Sequence, residues 1–315
     1  MPSHIITVLG PVKAESLGIT DAHNHLWINP VLGADPGAPV LQYEDLILAE
    51  LKDFQEAGGV TQVDCQPPGC GRDANRLRRL SERSGVKVVA CTGFHRRRYY
   101  PAPAPLFDLD AKTAADFFLD EIDNGLLETR GTRVAPVYPG FIKIAAEASF
   151  ADSPIALFEA AAEACLKRGV CIEMHTEKGA AVEHFLEFFT ARAVPAERLI
   201  FCHMDKRPDL GLHMELSQAG VGLEYDTFFR PKYEPENNVW PLLQHMLVKG
   251  WMESLILATD LAEAVLWRRM GDGPGLIAFI TQVQDRLQSL GIPNEQITLL
   301  MGGNIARKLA VDHKE

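Results

Sequence analysis

The sequence predicts an α/β fold arranged as one (β/α)8 barrel, with a short extra strand at the N-terminus. Short apolar, strand-like runs alternate with longer helix-like segments from about Leu17 to the C-terminus. Eight such runs can be counted. The length of 315 residues suits one large barrel, although length alone would also fit two smaller domains. We therefore expect a single domain over residues 1–315.

The predicted barrel strands are short and bounded by glycine or polar residues. They cover Gly18–His23, Val60–Asp64, Val86–Cys91, Gly140–Ile144, Val170–His175, Leu199–His203, Val221–Tyr225 and Leu255–Asp260. Between them, apolar residues recur at helical spacing, as in Leu46–Phe54 and Leu157–Cys165. Ile5–Leu9 is expected to form the extra strand, outside the barrel.

Composition and charge limit the classes of partner. With 31 Lys and Arg against 42 Asp and Glu, the net charge is -11, which disfavours binding to nucleic acid or to an anionic membrane. The N-terminus has no signal-peptide pattern, and no apolar run approaches the ~20 residues of a membrane span. We expect a cytoplasmic protein whose six cysteines, which form no CxxC pair, are free thiols.

Residues that commonly bind metals recur where five of the predicted strands end. They are His23, His25, Lys143, His175, His203 and Asp260. In a parallel barrel, the carboxyl ends of all strands open onto one face, so these side chains are expected to converge there. Such a set could form a two-metal hydrolytic centre.

Each member also has a simpler interpretation. His23 and His25 alternate onto the same side of their strand and could grip one ion, but they could also be polar residues at the barrel mouth. His175 and His203 could be hydrogen-bonded core residues. Asp260 could cap a helix that begins at Leu261.

Lys143 is the unusual member, because an ammonium group is costly to bury without a partner. Burial and nearby cations lower the pKa of a lysine, and a neutral amine can react with CO2 to give a carbamate able to bridge two metals. The alternatives are an ion pair with a barrel Asp or Glu, or a Schiff-base lysine.

Two long loops after strand ends, Arg96–Asp110 and Phe228–Asn238, are expected to form the walls of the substrate site. The candidate substrate contacts in and near them are Arg96, Arg97, Arg98, Tyr99, Tyr100, Lys206, Asp226 and Arg230. Guanidinium groups bind carboxylate or phosphate in a bidentate manner, so the three consecutive arginines predict an anion site. Alternatively, they belong to a solvated loop paired with surface acids.

Taken together, the segments 18–26, Gly140–Lys143, Met174–Thr176, Cys202–Asp205 and Leu257–Asp260 resemble the phosphotriesterase family of the amidohydrolase superfamily. The opening Leu9–Pro11 and the closing Gly303–Leu309 are also similar, so the resemblance covers nearly the whole chain.

The resemblance implies a TIM barrel with two divalent ions, most often zinc, with manganese, cobalt or iron accepted. His23, His25 and Asp260 would bind the more buried ion, and His175 and His203 the more exposed one. Carboxylated Lys143 and a hydroxide would bridge them, and Asp260 would also accept a proton. Members of the family are commonly homodimers.

Two departures from the family pattern concern the substrate more than the metals. Asn24 stands where a Glu is frequent, and Thr227 stands where organophosphate-hydrolysing members tend to have a His. We therefore expect a metal-dependent ester hydrolase acting on a small molecule, by preference a lactone such as a sugar lactone or its phosphate. Phosphotriester hydrolysis is the alternative. A non-catalytic ligand-binding barrel, a Schiff-base lyase and a one-metal deaminase remain as hypotheses from other classes.

Overall fold

Eight parallel strand positions surround the centre of the molecule in the computed structural model, which describes residues 3–131 and 133–312. The strands are β1 (His4–Thr7), β2 (Gly10–Lys13), β3 (Thr20–Asn24), β4 (Thr61–Asp64), β5 (Lys87–Val89), β6 (Cys91–Gly93), β7 (Phe141–Ala145), β8 (Ile172–His175), β9 (Leu199–Phe201), β10 (Gly222–Tyr225) and β11 (Leu255–Leu257). β3 to β5 form one parallel sheet and β6 to β11 another. The chain passes directly from the first sheet to the second, because only Ala90 separates β5 from β6.

The barrel closes between its first and last strands. The backbone N–H of Asp260, just beyond β11, donates to the carbonyl of His23 in β3 at 2.9 Å. The predicted (β/α)8 barrel is therefore confirmed. The predicted run Val86–Cys91 is divided into β5 and β6, and several other strands are shorter or shifted by a few residues relative to the predicted runs, such as β11, which ends at Leu257 and not at Asp260.

Helices follow the barrel strands and cover the outside of the sheet. They are α1 (Glu44–Glu56), α2 (Ala74–Ser84), α3 (Ala111–Asn124), α4 (Ile155–Arg168), α5 (Val182–Thr190), α6 (Leu210–Ala219), α7 (Val239–Val248), α8 (Arg268–Gly271), α9 (Asp285–Ser289), α10 (Asn294–Thr298) and α11 (Asn304–Leu309). Within the described residues, no helix has both the length and the apolar character that a bilayer span requires.

The N-terminal strand is part of a hairpin that the sequence did not fully predict. β1 pairs with β2 in antiparallel register, and Leu9, expected to be in the strand, lies in the turn between them. The hairpin also contacts the end of the chain, because the N–H of Val311 donates to the carbonyl of His4. The expected extra strand is therefore present, with a partner strand at Gly10–Lys13.

Alternation along β8 explains why a polar set lies inside the barrel. Ile172 and Met174 are fully buried in the main apolar core, together with residues of the surrounding helices. The intervening side chains, Glu173 and His175, point to the opposite side of the strand, which is the barrel interior. The register pairs Lys143 of β7 with Glu173, so that these two charged side chains lie in the same layer.

Gly93, at the end of β6, allows the backbone to approach β7 next to Lys143. Its φ is +108°, and an added Cβ would lie 1.8 Å from the carbonyl oxygen of Lys143. That carbonyl accepts the N–H of Phe94 at 2.8 Å. A side chain at position 93 would therefore displace the strand that carries Lys143.

We predict that Gly93→Ala destabilises the fold more than Gly58→Ala does. Gly58 has a similar φ of +104°, but an added Cβ there meets nothing within 4 Å. Gly58→Ala should therefore cost only the backbone strain, about 1–2 kcal/mol. Gly93→Ala should cost a further ~1–3 kcal/mol for the steric overlap. Urea unfolding of the two variants would measure the difference, and equal losses would contradict this packing.

Candidate metal centre

Three of the predicted ligands meet at the mouth of the barrel near β3. His23 lies in β3, His25 follows it, and Asp260 comes from the loop after β11. Nε2 of His23 is 3.9 Å from Oδ1 of Asp260, and Nε2 of His25 is 3.8 Å from the same oxygen. These three side chains therefore offer two nitrogens and one oxygen to a common point, close enough to hold one metal ion.

His175 and His203 form the second part of the cluster. Nδ1 of His175 lies 2.9 Å from Nε2 of His203, and Nδ1 of His203 lies 3.9 Å from Oδ2 of Asp260. Lys143 connects the two parts, because its Nζ lies 3.5 Å from Nε2 of His23. The six residues predicted from strand ends are thus brought together.

Each of the four histidines has one ring nitrogen in contact with a side-chain oxygen. The pairs are His23 Nδ1 with Glu224 Oε1 at 2.7 Å, His25 Nδ1 with Gln66 Oε1 at 2.7 Å, His175 Nε2 with Glu177 Oε1 at 2.9 Å, and His203 Nδ1 with Asp226 Oδ2 at 2.5 Å. An amide oxygen or an ionised carboxylate only accepts, so the nitrogen facing it carries the proton. The other nitrogen then presents its lone pair to the centre, as in metal-binding histidines.

The contact between His175 and His203 follows the same pattern. With the outer nitrogens protonated, Nδ1 of His175 and Nε2 of His203 are both lone-pair nitrogens, 2.9 Å apart. Two lone pairs at this distance repel each other unless a proton or a cation lies between them. The ring orientations therefore fit a metal ion bound by both nitrogens.

Burial keeps the histidines in the neutral form that binds metals. It lowers the pKa of His23 and of His203 well below the usual range, and it lowers the pKa of His25 to about 4. For Asp260, burial alone would raise the pKa, but the guanidinium of Arg230 and the nearby His203 hold it below its usual value. Neutral imidazoles and an ionised carboxylate are the forms that bind divalent ions.

Lys143 is completely buried, and its ammonium forms an ion pair. Its Nζ donates to Oε1 of Glu173 at 2.6 Å, and the thiol of Cys202 lies 3.3 Å away. Burial alone would lower the pKa of Lys143, as the sequence predicted, but the acidic groups of Cys202, Cys65 and Glu173 outweigh it and raise the pKa well above the usual range. The structure therefore shows the ion pair that the sequence analysis gave as an alternative, and the carbamate stays a prediction.

Buried carboxylates next to the histidines and Lys143 have oxygens that accept no hydrogen bond. Among the described residues, Oε2 of Glu173, Oε2 of Glu224 and Oδ1 of Asp226 have no hydrogen-bond partner. Burying a carboxylate without compensation is costly, so this arrangement favours cations at the centre. Burial and the neighbouring Glu173 also raise the pKa of Glu224, whereas divalent ions nearby would favour its ionised form. The donor set therefore fits divalent metals.

The backbone is strained at two of the ligand positions. His203 has a φ of +62° and Asp260 a φ of +48°, both in the left-handed region that non-glycine residues rarely adopt. Such strain often accompanies functional sites. No helix begins at Leu261, so the alternative role of Asp260 as a helix cap is not found; the next helical turn starts at Ala264.

A cavity of about 450 Å³ opens above the cluster. Of the predicted substrate contacts, Arg96, Arg98, Tyr99, Lys206 and Arg230 line it. The described lining residues do not include Arg97, Tyr100 or Asp226. Tyr100 is buried behind the wall, where its hydroxyl accepts the N–H of His95, and Asp226 is fully buried against His203.

The three consecutive arginines are paired with acids, which was the alternative interpretation of this loop. Arg96 contacts Glu147 at 2.7 Å and Glu177 at 2.5 Å. Arg97 faces Asp108 at 3.4 Å, and Arg98 lies 3.8 Å from Asp35. Each of the three arginines therefore faces an acid, as in the alternative interpretation, and the anion site at this loop stays a prediction.

Lys206 is a better candidate for an anion contact. In the described part of the chain, no carboxylate lies within ion-pair distance of its ammonium group, although the negative charges of Asp226 and Asp260 raise its pKa. Burial by itself would lower the pKa of Lys206. Its Nζ lies 5.2 Å from the ring centre of Tyr233, which also lines the cavity with Lys232. Arg230, by contrast, is occupied by Asp260 at 3.1 Å and Glu263 at 3.3 Å.

Several site residues were not identified from the sequence. They are Gln66, His95, Glu173, Glu177, Glu224 and Tyr233. Glu173 could have been recognised, because it lies two residues before His175 in an apolar strand and so shares its face. Glu177 follows His175 by two residues, whereas Gln66 lies in a loop 41 residues from His25, and only the fold brings it to that ring.

The two departures from the family pattern have structural roles outside the cluster. The amide of Asn24 bonds to Asp21, Gln62 and Thr259, and its oxygen accepts the N–H of Leu261. The hydroxyl of Thr227 donates to Asp205. Asn24 thus ties β3 to the loop that carries Asp260.

We predict that Asp226→Asn weakens binding of divalent metal about tenfold, because the partner of a ligating imidazole sets its orientation and basicity. Competition with a chromophoric chelator would measure the affinity. Asp45→Asn is a suitable control, since that carboxylate is 93% exposed on α1. Equal affinity in both variants would show that His203 does not depend on Asp226.

Comparisons with known proteins agree with this geometry. The profile of the phosphotriesterase family matches residues 3–309. A phospho-furanose lactonase from Mycoplasmopsis synoviae (strain 53) is 27% identical over 332 residues, which cover 98% of this chain and 92% of that protein. A phospho-furanose lactonase from Mycoplasmopsis agalactiae is 27% identical over 326 residues, covering 97% and 91%.

The fold is also that of a solved relative. The crystal structure of a lactonase from Listeria monocytogenes superposes with a TM-score of 0.88 at 22% identity, and the match covers 99% of this chain and 100% of that one. At this identity the likeness establishes the fold alone. Because the family profile matches nearly the whole chain, the protein belongs to the phosphotriesterase family.

Proposed function

We propose that the protein is a metal-dependent hydrolase that opens a lactone, and that its substrate is a sugar lactone carrying a phosphate group. The observation that carries the choice of substrate is Lys206, a half-buried ammonium in the cavity wall without an ion-pair partner in the described residues. A buried cation of this kind is stabilised when the ligand brings a negative charge.

The cavity suits a small polar ring better than a large apolar one. Histidines, charged side chains and tyrosines line it together with Pro, Ala and Val residues of 30–40, and a volume of about 450 Å³ fits a furanose with one phosphate. The names of the two mycoplasmal relatives support the same substrate class. Neutral phosphotriesters are the weaker candidates, because they would leave Lys206 unpaired and Thr227 provides no group at the site.

The metal ligands are assigned within the same proposal. His23, His25 and Asp260 would hold one ion, and His175 and His203 the other, with carboxylated Lys143 between them. Zinc suits a set of imidazole nitrogens and carboxylate oxygens, and manganese, cobalt or iron are the other possibilities. Two such ions would lower the pKa of bound water and polarise the carbonyl oxygen of the ester.

The protein's own residues would orient the reaction and move the proton. Asp260 faces both His23 and His25 through Oδ1, while Arg230 contacts its Oδ2. Oδ1 is therefore placed to take the proton released when water adds to the carbonyl carbon. Passing that proton to the ring oxygen would complete the opening of the lactone.

Lys206 and Tyr233 would hold the phosphate at the edge of the cavity. The ammonium and the phenol can both donate to phosphate oxygens, and exposed Lys232 adds positive charge near the same ring, 5.1 Å from its centre. In this arrangement the guanidinium of Arg230 stays paired with Asp260 and does not hold the phosphate. The substrate would then be fixed between its phosphate at this edge and its ester bond at the metal centre.

We predict that Lys206→Met raises KM for phosphorylated lactones about tenfold to a hundredfold and leaves neutral lactones nearly unchanged, because the lost contact is charge-assisted. Steady-state kinetics on a matched pair, one sugar lactone with and without phosphate, would measure this. Lys249→Met on the exposed end of α7 is the control. Equal effects on both substrates would contradict the phosphate contact.

We also predict that Lys143→Ala and Lys143→Arg both lose turnover and bound metal. Arginine keeps the positive charge that pairs with Glu173 but cannot form a carbamate, so it separates the two roles of this position. Metal quantification by mass spectrometry together with kcat would give the result. An active, fully loaded Lys143→Arg protein would mean that Lys143 serves only as the partner of Glu173.

A further inference from the structure

His95 is a fifth histidine at the site, and its chemistry differs from that of the four ligands. It follows β6, is 8% exposed, and lines the cavity. Its ring centre lies 5.2 Å from that of His175 and 6.3 Å from that of His25, so it stands beside both halves of the cluster. The ring edge contacts Tyr99, with centres 4.7 Å apart.

The hydrogen bond at Nδ1 determines which nitrogen of His95 carries the proton. The backbone N–H of Arg96 donates to Nδ1 of His95 at 2.7 Å. Nδ1 is therefore an acceptor, and the proton of the neutral ring lies on Nε2. This is the reverse of the four proposed ligands, each of which faces an oxygen and keeps a lone pair for the centre.

On this basis we propose that His95 is a substrate contact that donates a hydrogen bond from Nε2–H to the ring oxygen of the lactone. The inference rests on the proposed lactone hydrolysis. Among the described residues, no hydrogen-bond partner is found for Nε2, and the ring lies in the wall of the cavity. Nε2–H is thus available to a ligand, whereas its proton prevents it from binding a metal.

The ring oxygen is the acceptor that needs such a donor. The metals would polarise the carbonyl oxygen, which leaves the ring oxygen without a partner. As water adds to the carbonyl carbon, the bond from that carbon to the ring oxygen breaks, and the electron pair goes to the oxygen. That oxygen takes its proton from Asp260. His95 keeps its own proton throughout and stabilises the developing negative charge by hydrogen bonding.

The position of His95 is fixed by its surroundings. Its backbone N–H donates to the hydroxyl of Tyr100 at 3.0 Å, and Tyr100 is buried. With the bond from Arg96 to the ring, the backbone and the imidazole are each held in place. A donor held before the substrate arrives needs no reorganisation during the reaction, which makes it more effective in stabilising the transition state.

Two substitutions separate the two sides of the ring. In His95→Asn, the amide oxygen can still accept the N–H of Arg96, but nothing remains at the position of Nε2. In His95→Gln, the longer side chain can bring an amide N–H close to that position. We expect His95→Asn to lower kcat for a lactone by a factor of ~10–100, as for other single donors that act in a transition state, with unchanged metal content. His95→Gln should retain more activity.

The leaving group provides the decisive comparison. An aryl ester with an acidic leaving group, such as a p-nitrophenyl ester, needs less stabilisation of the departing oxygen than a lactone does. The loss in His95→Asn should therefore be smaller for the aryl ester. Equal losses on both substrates, or loss of bound metal in His95→Asn, would overturn the proposal. His245→Asn, on the exposed surface of α7, controls for the substitution itself.

A measurement without substrate tests the tautomer directly. Long-range 1H–15N spectra of the 15N-labelled protein should show His95 protonated at Nε2, both free of metal and loaded with zinc. Protonation at Nδ1 would overturn the proposal whatever the kinetics. If the wild-type protein opens no lactone, the proposed function fails, and the spectra still decide whether His95 is a donor. If it opens lactones and His95→Asn does so equally well, only the role of His95 fails.

Discussion

The site depends on the contact between each of the four histidine rings and a side-chain oxygen, which for three of them lies on a different segment of the barrel. Glu224 orients His23, Gln66 orients His25, and Asp226 orients His203. Each contact fixes which nitrogen is protonated and therefore which lone pair faces the centre. The strands bring these side chains close together, and the contacts orient the lone pairs that a metal ion would bind. The same principle gives His95 the opposite role, because its partner is a donor.

Charge is the second constraint. Lys143 is the cation within contact distance of Glu173, while further carboxylates of Glu224, Asp226 and Asp260 surround the histidines. Arg230 pairs with Asp260, but one oxygen each of Glu173, Glu224 and Asp226 has no hydrogen-bond partner among the described residues. Divalent ions would supply the missing positive charge. They would also reduce the need for an ammonium at Lys143, which is the condition under which a carbamate could form there.

The sequence predicts the fold and the inner cluster well because both follow from local patterns. Strand periodicity identifies all eight barrel positions, and residues at their carboxyl ends must share one face. The partners are harder to predict, because contacts such as Glu177 with His175 depend on how loops are folded. The state of Lys143 illustrates the same limit. Burial lowers a lysine pKa, but Cys202, Cys65 and Glu173 together outweigh burial at Lys143, and these neighbours are known only from the fold.

The arginine loop shows the same dependence on neighbours that the sequence does not reveal. Three positive residues in sequence predict an anion site, but Arg96 and Arg98 face Glu147 and Asp35 from other segments of the chain, and Arg97 faces Asp108 of the same loop. Lys206 is one candidate among several in the sequence, yet among the described residues it has no ion-pair partner and it lines the cavity. The charge available to a ligand therefore depends on what each cation already contacts, which composition does not reveal.

Anomalous diffraction from crystals grown with zinc would test the central claim most directly. The account predicts two peaks about 3.5–4 Å apart. One should lie among His23, His25 and Asp260, and the other between His175 and His203. A single peak, or peaks away from these nitrogens, would contradict the binuclear centre on which the proposed chemistry depends.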